Sequence, residues 1–346
     1  MFTQSVYHTY QRYRTLQTNR ISALPIVILM PHSACNCQCV MCDIWKGNQN
    51  LKQLTEADIE GLLAAFKKFG TKQVVMSGGE ALLNRNFFRL CEILKKNRIS
   101  ITLLSTGLLL KRHAEALLKW VDDLIISIDG DEPLHDTIRG IPGAFQKLKE
   151  GVQYIKSLRP GFPITGRSVI HKLNYRKWPA IIDSAKEMGL DQVSFLPADI
   201  SSNAFNRETP WSVERQQDVL PTKAELAEMQ EILDYITDRY QLLFKEHFIA
   251  ESPEKLQKIS GYYRALHGIN PFPYKKCNAP WVSAVIEADG LVRPCFFHEA
   301  MGNIREEPLE QILNSNKAYR FRKELDMQQN STCLKCVCYL NLSPGG

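Results

Sequence analysis

No stretch of this sequence stays apolar over the roughly 18–20 residues that a membrane-spanning helix needs. Charge of one sign does not accumulate either, because the formal net charge of +6 is spread along the chain. We therefore expect neither a membrane nor a nucleic acid as partner. The segment before Cys35 has no apolar core followed by a cleavage site, which argues against a secreted, disulfide-linked protein. Ten cysteines in such a chain indicate a cytoplasmic protein that binds metal.

Three cysteines are spaced as Cys35-x3-Cys39-x2-Cys42 in a loop that follows a short apolar run, residues 26–30. Thiolates this close together on one loop suit an iron–sulfur cluster. A tetrahedral zinc site usually has two C-x2-C pairs, and this loop has only one. Clusters of four irons usually take four cysteines, so three ligands would leave one iron open to a small molecule. Cys37 lies inside the run, and on residue type alone it is a further candidate ligand.

The spacing of Cys35, Cys39 and Cys42 resembles the signature of the radical S-adenosylmethionine (radical SAM) family. The resemblance implies a SAM-binding [4Fe-4S] cluster at these three residues and makes Cys37 a bystander. In that family the open iron chelates the amino and carboxylate groups of SAM, and an electron from the cluster splits SAM into methionine and a 5′-deoxyadenosyl radical. Many members have an aromatic residue just before the third cysteine. Met41 stands there in this chain and still provides an apolar cover.

Strand-like and helix-like segments alternate between residues 20 and 200, which predicts parallel βα units. Six units are too few for a closed eight-stranded barrel. The fold class that we predict is α/β, a partial (β/α)6 TIM-like barrel with a small C-terminal β-hairpin/α cluster-binding extension, and the resemblance implies the same barrel. The predicted strands are 25–30, 73–76, 100–104, 123–128, 163–170 and 192–196. Thr55 with Asp58 and Thr222 with Glu225 are capping-box patterns that predict helix starts, and Asn84 is predicted to open another helix.

In such barrels the reacting groups lie at the C-terminal ends of the strands. Polar motifs follow the predicted strands at that end. The run Ser77-Gly78-Gly79-Glu80 follows strand two and resembles the family's GGE motif, which binds the SAM amino group. A glycine pair can also be a plain tight turn, and small polar residues at strand ends can simply make turns. The guanidinium of Arg139 has two open roles, to pair with the SAM carboxylate or to form a surface salt bridge. The resemblance implies these SAM contacts: Gly78, Gly79, Glu80, Ser105, Asp129 and Arg139.

A second cysteine group occupies the C-terminal third. Two β-rich runs flank Asp289-Gly290, which is the strongest short signal for a β-hairpin. Cys277 lies before this hairpin and Cys295 after it, and Cys333-x2-Cys336-x1-Cys338 follows near the C-terminus. Five cysteines suffice for one fully ligated cluster and fall short of two.

This arrangement resembles the SPASM/twitch extension of radical SAM enzymes, whose shorter twitch type uses the hairpin pair and a later C-x2-C. The resemblance implies a second, auxiliary [4Fe-4S] cluster on the ligands Cys277, Cys295, Cys333 and Cys336. Zinc on the same four thiolates stays open, and so does Cys338 in place of Cys336. Cys91 is predicted to be a small buried hydrophobe on a helix face.

Four segments follow from these patterns. They are an N-terminal helical segment (1–24), the radical SAM core (25–200), a helical connector (201–270) and the auxiliary cluster domain (271–346). A molybdenum-cofactor cyclase, suggested by the hairpin and the terminal Gly345-Gly346, would need a C-x2-C before the hairpin, which this chain lacks.

The resemblance implies an enzyme that cleaves SAM and abstracts hydrogen from a substrate carbon. The predicted reaction is dehydrogenation or epimerisation of a small polar, sugar- or aminocyclitol-like intermediate. Modification of a ribosomal peptide is the alternative, and a non-catalytic iron–sulfur scaffold is the alternative of another class. The expected partners are a small-molecule or peptide substrate and an external electron donor such as a flavodoxin or ferredoxin. The sequence assigns no catalytic residue.

Overall fold

The computed structural model of the protein describes residues 2–207 and 209–344, so Gly345 and Gly346 lie outside the described residues. Within this part of the chain, nine strands form one sheet in the order β6-β5-β4-β3-β2-β1-β7-β8-β9. The strands are β1 (Ile26–Leu29), β2 (Gln73–Met76), β3 (Ser100–Ser105), β4 (Asp123–Ser127), β5 (Ile164–Ile170), β6 (Gln192–Pro197), β7 (Ser283–Ile286), β8 (Leu291–Arg293) and β9 (Gly302–Asn303).

Strands β1 to β6 are parallel to their neighbours and run in sequence order, each joined to the next through helical crossovers. The sheet does not close, because β6 and β9 form its two ends. The predicted α/β partial barrel is therefore confirmed. The six predicted strands are confirmed to within one or two residues at each end.

Helices cover the outer face of the barrel and form most of the segment between β6 and β7. In the described residues the helices are α1 (Phe2–Thr18), α2 (Glu56–Phe69), α3 (Phe87–Lys96), α4 (Leu110–Trp120), α5 (Glu132–Arg139), α6 (Ala144–Leu158), α7 (Trp178–Glu187), α8 (Val213–Gln217), α9 (Lys223–Arg239), α10 (Gln241–Lys245), α11 (Pro253–Leu266), α12 (Ala279–Val282), α13 (Leu309–Asn314), α14 (Asn316–Glu324) and α15 (Ser331–Leu334). None of them is long and apolar enough to cross a membrane.

Both capping boxes are confirmed. Thr55 Oγ1 accepts a hydrogen bond from the Asp58 amide, and the Asp58 carboxylate accepts one from the Thr55 amide. Thr222 and Glu225 make the same reciprocal pair at the start of α9. The prediction that Asn84 opens a helix is wrong. Its side chain instead donates to two backbone carbonyls of the neighbouring loop, and α3 begins three residues later.

The C-terminal hairpin is continuous with the barrel sheet. Strands β7 and β8 are antiparallel about the predicted Asp289-Gly290 turn, where Gly290 has a φ of 89°, a conformation that favours glycine. Strand β7 also pairs in parallel with β1, from Ile26 opposite Ser283 to Leu29 opposite Ile286. The sequence analysis predicted that the hairpin is a small extension. In the structure its first strand, β7, is the seventh parallel strand of the barrel sheet and lies beside β1.

The segment between β6 and β7 covers the other end of the sheet. The amide of Val193 in β6 donates to Phe248 O over 2.7 Å, and the amide of Ala250 donates to Val193 O over 2.9 Å. An exposed edge strand invites pairing with other chains, so this contact protects β6. Helix α11 then packs on the same strand. The predicted helical connector thus also acts as an edge cover.

The hydrophobic core lies between the sheet and the outer helices. Val27 and Leu29 of β1 are fully buried on that side, whereas Ile26 and Ile28 alternate with them toward the inside of the barrel. Cys91 is fully buried on α3, which confirms its predicted packing role. The inside of the barrel is left to a cavity at the carboxyl ends of the strands.

Candidate active site

One large cavity, of about 1050 Å³, opens at the carboxyl ends of the parallel strands. Cys35, Cys39 and Cys42 line it, and so do Cys336 and Cys338 from the C-terminal group. The barrel strands supply further lining residues between these two thiol groups. The two cysteine motifs, far apart in sequence, therefore reach the same cavity.

The first cysteine loop is held in place by backbone hydrogen bonds to the end of α5. The Gln38 amide donates to Arg139 O over 2.8 Å, and the Val40 amide donates to Ile138 O over 3.0 Å. The side-chain amide of Asn48 bonds both the amide and the carbonyl of Cys35, at 3.0 and 2.9 Å. These contacts fix the path of the loop without using a thiol.

The thiols of this loop fall into two kinds. Cys37 is buried in the core and does not line the cavity, unlike Cys35, Cys39 and Cys42. Burial raises the pKa of Cys35 to about 11 and that of Cys42 to about 12. A hydrogen bond from the Cys37 thiol lowers the pKa of Cys39. Because iron binds the thiolate, loading this loop with a cluster releases protons.

The two glycines of the predicted GGE motif let the second strand's loop approach the cysteine loop. A Cβ on Gly79 would lie 2.1 Å from Ala34 O, so only glycine fits there. Gly78 has a φ of 108°, and both glycines line the cavity. The Glu80 amide donates to Ala34 O over 2.9 Å. This pair therefore has a packing reason in addition to the binding role that the family motif implies.

The Glu80 carboxylate is fully buried and lies outside the cavity lining. It accepts hydrogen bonds from the Thr106 amide at 2.8 Å, the Thr106 hydroxyl at 2.7 Å and the Ser105 hydroxyl at 3.0 Å. The Leu82 amide adds a fourth donor at 3.2 Å. Burial raises the pKa of Glu80. The carboxylate thus fixes the end of β3, and it is Ser105 and Thr106 that border the cavity.

Asp129 and Arg139 form a buried ion pair, so the surface salt bridge considered for Arg139 is wrong. Asp129 also accepts from the Val169 amide and the Ser168 hydroxyl, and only Arg139 reaches the cavity. One terminal nitrogen of Arg139 lies 3.4 Å from Cys39 Sγ. Burial alone would lower the pKa of Arg139, but the charges of Asp129 and Cys39 raise it. The guanidinium is therefore a permanent positive charge between the cysteine loop and β4.

The segment that contains Arg207 and Trp211 covers the cysteine loop. The sequence analysis missed this contact, because it treated the segment as part of the helical connector. Arg207 is buried, pairs with Asp199 at 2.7 Å and donates to Met41 O at 3.4 Å. Its guanidinium stacks 3.9 Å above the ring of Trp211, whose Nε1 donates to Asp43 over 2.6 Å. The arginines and the tryptophan in this polar stretch were the signal that could have found it.

The C-terminal cysteines come from three segments that are held side by side. The Asn278 amide donates to Leu340 O over 2.7 Å, and the Asn278 side chain bonds both the carbonyl and the amide of Leu342. Lys275 Nζ donates to Leu334 O over 2.8 Å and also to Cys336 O. These contacts place the C-x2-C motif against the segment that begins the hairpin.

Burial raises the pKa of four of the C-terminal thiols, Cys295, Cys333, Cys336 and Cys338. Burial raises the pKa of Cys333 to about 11 and that of Cys295 to about 12, and nearby Cys277 adds to both shifts. Burial also raises the pKa of Cys336, with smaller contributions from Cys338 and Cys295. Cys338 is the one exposed thiol of this group and faces the cavity. The predicted ligands and Cys338 are thus neighbours.

His298 is a second residue that the sequence did not suggest. Its Nε2 lies 3.3 Å from Cys333 Sγ, and its ring packs edge-on against Phe321. Burial lowers the pKa of His298. An N–H that points at a cysteine sulfur stabilises its thiolate, which is the form that binds metal.

The donor chemistry of both groups fits iron–sulfur clusters, since each offers several thiols around one cavity or cleft. As the side chains stand, no three Cys, His, Asp or Glu residues among the described residues are placed to hold a single metal ion. The thiols of a four-iron cluster bind different irons, so they need not converge on one point.

Two family models match the chain. The radical SAM superfamily matches residues 29–194, and an iron–sulfur cluster-binding domain, called SPASM, matches residues 277–337. The first match begins at Leu29, the last residue of β1, and spans the cysteine loop and strands β2 to β5, up to Ser194 in β6. The second spans Cys277, Cys295, Cys333 and Cys336.

Similar proteins cover most of the chain at low identity. The AdoMet-dependent heme synthase of Methanosarcina barkeri is 24% identical over 83% of this chain and 81% of its own length. The PqqA peptide cyclase of Bradyrhizobium diazoefficiens is 25% identical over 80% of this chain and 68% of its own. The crystal structure of Streptococcus suis SuiB bound to its precursor peptide SuiA has a TM-score of 0.66 at 18% identity. That likeness covers 94% of this chain and 72% of SuiB.

Proposed function

Because the chain belongs to the radical SAM superfamily and carries a SPASM domain, we propose that it oxidises a carbon of a substrate held between two iron–sulfur clusters. It is an enzyme, and its cofactors are SAM, the SAM-binding [4Fe-4S] cluster and an auxiliary iron–sulfur cluster. The alternative of a non-catalytic iron–sulfur scaffold is therefore wrong. The observation that carries the proposal is the single cavity bordered by both thiol groups.

Cys35, Cys39 and Cys42 are the proposed ligands of the first cluster, because these three thiols border the cavity and Cys37 does not. These residues would hold the cluster that, with SAM bound, would supply the 5′-deoxyadenosyl radical for hydrogen abstraction from the substrate. Gly78 and Gly79 offer close backbone approach at the cavity wall.

The other proposed SAM contacts differ in how directly they act. Ser105 and Arg139 border the cavity, and both are proposed to touch SAM. Glu80 and Asp129 lie behind them and are proposed to act as positioning residues. Glu80 orients Ser105 and Thr106, and Asp129 orients Arg139.

Cys277, Cys295, Cys333 and Cys336 are the proposed ligands of one auxiliary cluster. Their neighbourhood supports this set, and Cys338 stays the alternative to Cys336 because both border the cavity. A cluster held there would supply an acceptor for the one electron that the substrate radical loses together with a proton. The net result is a dehydrogenated substrate.

An epimerase would instead return a hydrogen atom from a thiol to the substrate carbon. Cys338 is the candidate donor, because it is the exposed thiol of the group and faces the cavity. We place dehydrogenation first, since Cys336, one of the proposed auxiliary ligands, borders the same cavity and the cluster it would help to hold offers an electron acceptor.

Two substrate classes follow. The cavity of about 1050 Å³ is at the upper end of the roughly 300–1,000 Å³ usual for small-molecule sites, and it must hold SAM as well. This supports a small polar metabolite as the first candidate. A peptide is the second candidate, favoured by the relation to PqqA peptide cyclase and by the fold shared with peptide-bound SuiB.

The experiment uses anaerobically reconstituted full-length protein with SAM and dithionite. We expect 5′-deoxyadenosine to form, and its absence from fully iron-loaded protein would contradict the proposal. Offering either a deuterated peptide digest or a deuterated metabolite extract then separates the substrate classes. The pool that transfers deuterium into 5′-deoxyadenosine contains the substrate.

A further inference from the structure

The arginines and lysines that border the large cavity differ in what neutralises them. Most lie against a carboxylate, and two lysines stand exposed at the rim. Arg167 does neither, because it is half-buried and, within the described residues, the one hydrogen bond of its side chain runs from Nε to Ser194 Oγ over 3.1 Å. The cations with carboxylate partners are Arg139 with Asp129, Arg207 with Asp199 at 2.7 Å, Arg293 with Glu287 at 2.8 Å and Lys52 with Asp289 at 2.9 Å. The exposed rim lysines are Lys317 and Lys335.

The position of Arg167 is set by β5. It lies directly opposite Ser194 of β6, and its buried neighbours Gly166 and Ser168 point to the other face of the sheet. Arg167 borders the large cavity and also a smaller one of about 160 Å³ beside it. Its guanidinium therefore stands at the junction of the two, and Cys338 borders the same two cavities.

The smaller cavity is rich in positive charge. Three lysines border it together with Arg167, and one carboxylate, Glu251, opposes them. Glu251 accepts from the Phe195 amide at 3.0 Å and lies 3.5 Å from Lys255 Nζ, and the charge of Arg167 acts on it from a distance without an ion pair among the described residues. The three lysines are Lys255, Lys258 and Lys275.

A half-buried guanidinium without a carboxylate in direct contact has lost part of its hydration, and the bond to Ser194 replaces only part of that loss. Arginine binds carboxylates and phosphates through two parallel N–H bonds. In Arg167 the Nε is occupied by Ser194, so the two terminal nitrogens remain for such a pair. The surrounding lysines favour the same kind of ligand by attraction.

We propose that Arg167 binds an oxyanion of the substrate, a carboxylate or a phosphate, at the junction of the two cavities. The substrate then enters with its anionic group beside Cys338 and its reacting carbon toward the Cys35, Cys39 and Cys42 loop. This inference rests on the proposed function and narrows its substrate class to anionic compounds or peptides with a carboxylate at the reacting end.

The test measures binding of two small probes to anaerobically reconstituted full-length protein saturated with SAM. Trifluoroacetate is followed by fluorine NMR and inorganic phosphate by phosphorus NMR, with sodium chloride keeping the ionic strength constant. The variants are Arg167→Gln, Arg167→Lys and, as a matched control at the rim, Lys317→Gln. Iron content and circular dichroism confirm that each variant is folded and loaded.

We expect Arg167→Gln to weaken binding of at least one probe by about tenfold or more, since a charge-assisted bidentate bond is lost. Arg167→Lys should weaken it less, and Lys317→Gln should leave it within about twofold of the unchanged protein. A trifluoroacetate effect alone identifies a carboxylate, and a phosphate effect alone identifies a phosphate.

Two results would overturn the inference. One is equal binding of both probes by Arg167→Gln and by the unchanged protein. The other is a loss of SAM affinity in Arg167→Gln with probe binding intact, which would assign the guanidinium to the SAM carboxylate. Formation of 5′-deoxyadenosine without added substrate is measured in parallel, so that failure of the proposed function is seen separately from failure of this site.

Discussion

Thiols of both groups border one cavity, but the two groups are built in opposite ways. The first lies on one short loop, from Cys35 to Cys42, tied to α5 by backbone hydrogen bonds and covered by Arg207 and Trp211. The second gathers thiols from segments as far apart as Cys277 and Cys338, joined through Asn278 and the C-terminal tail. A local loop sets its own spacing, whereas a dispersed site requires the chain around it to fold first.

The largest expected effect comes from removing the three proposed ligands of the first thiol group. Replacing Cys35, Cys39 and Cys42 together with alanine should lower the iron from about eight to about four per chain, since each cubane holds four. No 5′-deoxyadenosine should form. Iron and sulfide analysis of the reconstituted protein measures this, with Cys37→Ala as the matched control that should keep all its iron. Zinc without iron in the triple variant would contradict the auxiliary cluster.

A second test asks whether Arg207, which covers the cysteine loop, stabilises the first cluster alone. Arg207→Ala leaves the buried carboxylate of Asp199 without its partner, which should cost about 3–5 kcal/mol of stability. We expect the first cluster to lose iron before the auxiliary one, because Arg207 also bonds the cysteine loop. Urea unfolding and iron analysis of Arg207→Ala and Arg207→Lys measure this. Equal loss from both clusters would show that the cover has no particular link to the first loop.

A third test sharpens the difference in electronic surroundings. The bond between His298 and Cys333 belongs to the second group only. Removing it in His298→Phe destabilises the more negative, reduced cluster, so its potential should fall by about 20–60 mV, the equivalent of one hydrogen bond. Redox titration by electron paramagnetic resonance is cleanest in the triple cysteine variant, where only the auxiliary cluster remains. An unchanged potential, or a fall in His298→Gln as large as in His298→Phe, would rule out a hydrogen-bond effect.

The smallest effect concerns the attachment of the hairpin to the barrel. Arg305 pairs with Asp58 at 2.9 Å on the surface, so Arg305→Gln should cost at most about 1 kcal/mol, and less at high salt. Burial alone would raise the pKa of Asp58, but the bonds from Arg305 and Thr55 lower it. The contribution is therefore full above the ordinary carboxyl pKa of about 4 and is lost as the pH falls through the lowered value.

Chemical unfolding of the unchanged protein and of Arg305→Gln between pH 3 and 7 checks this prediction. Lys68→Gln, which removes another exposed pair, with Glu310, is the matched control away from the hairpin. A difference between Arg305→Gln and the unchanged protein that grows as the pH falls would contradict the assignment.

The sequence predicts best what depends on neighbouring residues. The six barrel strands, the capping boxes at Thr55 and Thr222 and the Asp289-Gly290 turn follow from local patterns and are confirmed. Asn84 does not open α3, because its Oδ1 accepts from the Asn86 amide at 2.8 Å and the helix begins only at Phe87. Its Nδ2 donates to Pro31 O and Leu54 O, two tertiary contacts that no local pattern predicts.

What the sequence does not reveal is which way buried polar groups face. Glu80 and Asp129 stand in motifs that the family uses for SAM, yet in the fold their carboxylates lie behind Thr106 and Arg139. Arg207 and Trp211 reach the cysteine loop across more than a hundred residues of chain, a contact that no spacing encodes. The same is true of the pairing between β7 and β1.

That last pairing has a consequence for synthesis on the ribosome. Strand β1 carries the first cysteine loop, and its second neighbour, β7, ends only at Ile286. At roughly 5–20 residues per second, β1 stays an open edge for many seconds after it emerges. The nascent barrel therefore passes through a stage in which one edge of β1 has no strand paired with it. Assembly of the first cluster loop in its final setting has to wait until most of the chain has been translated.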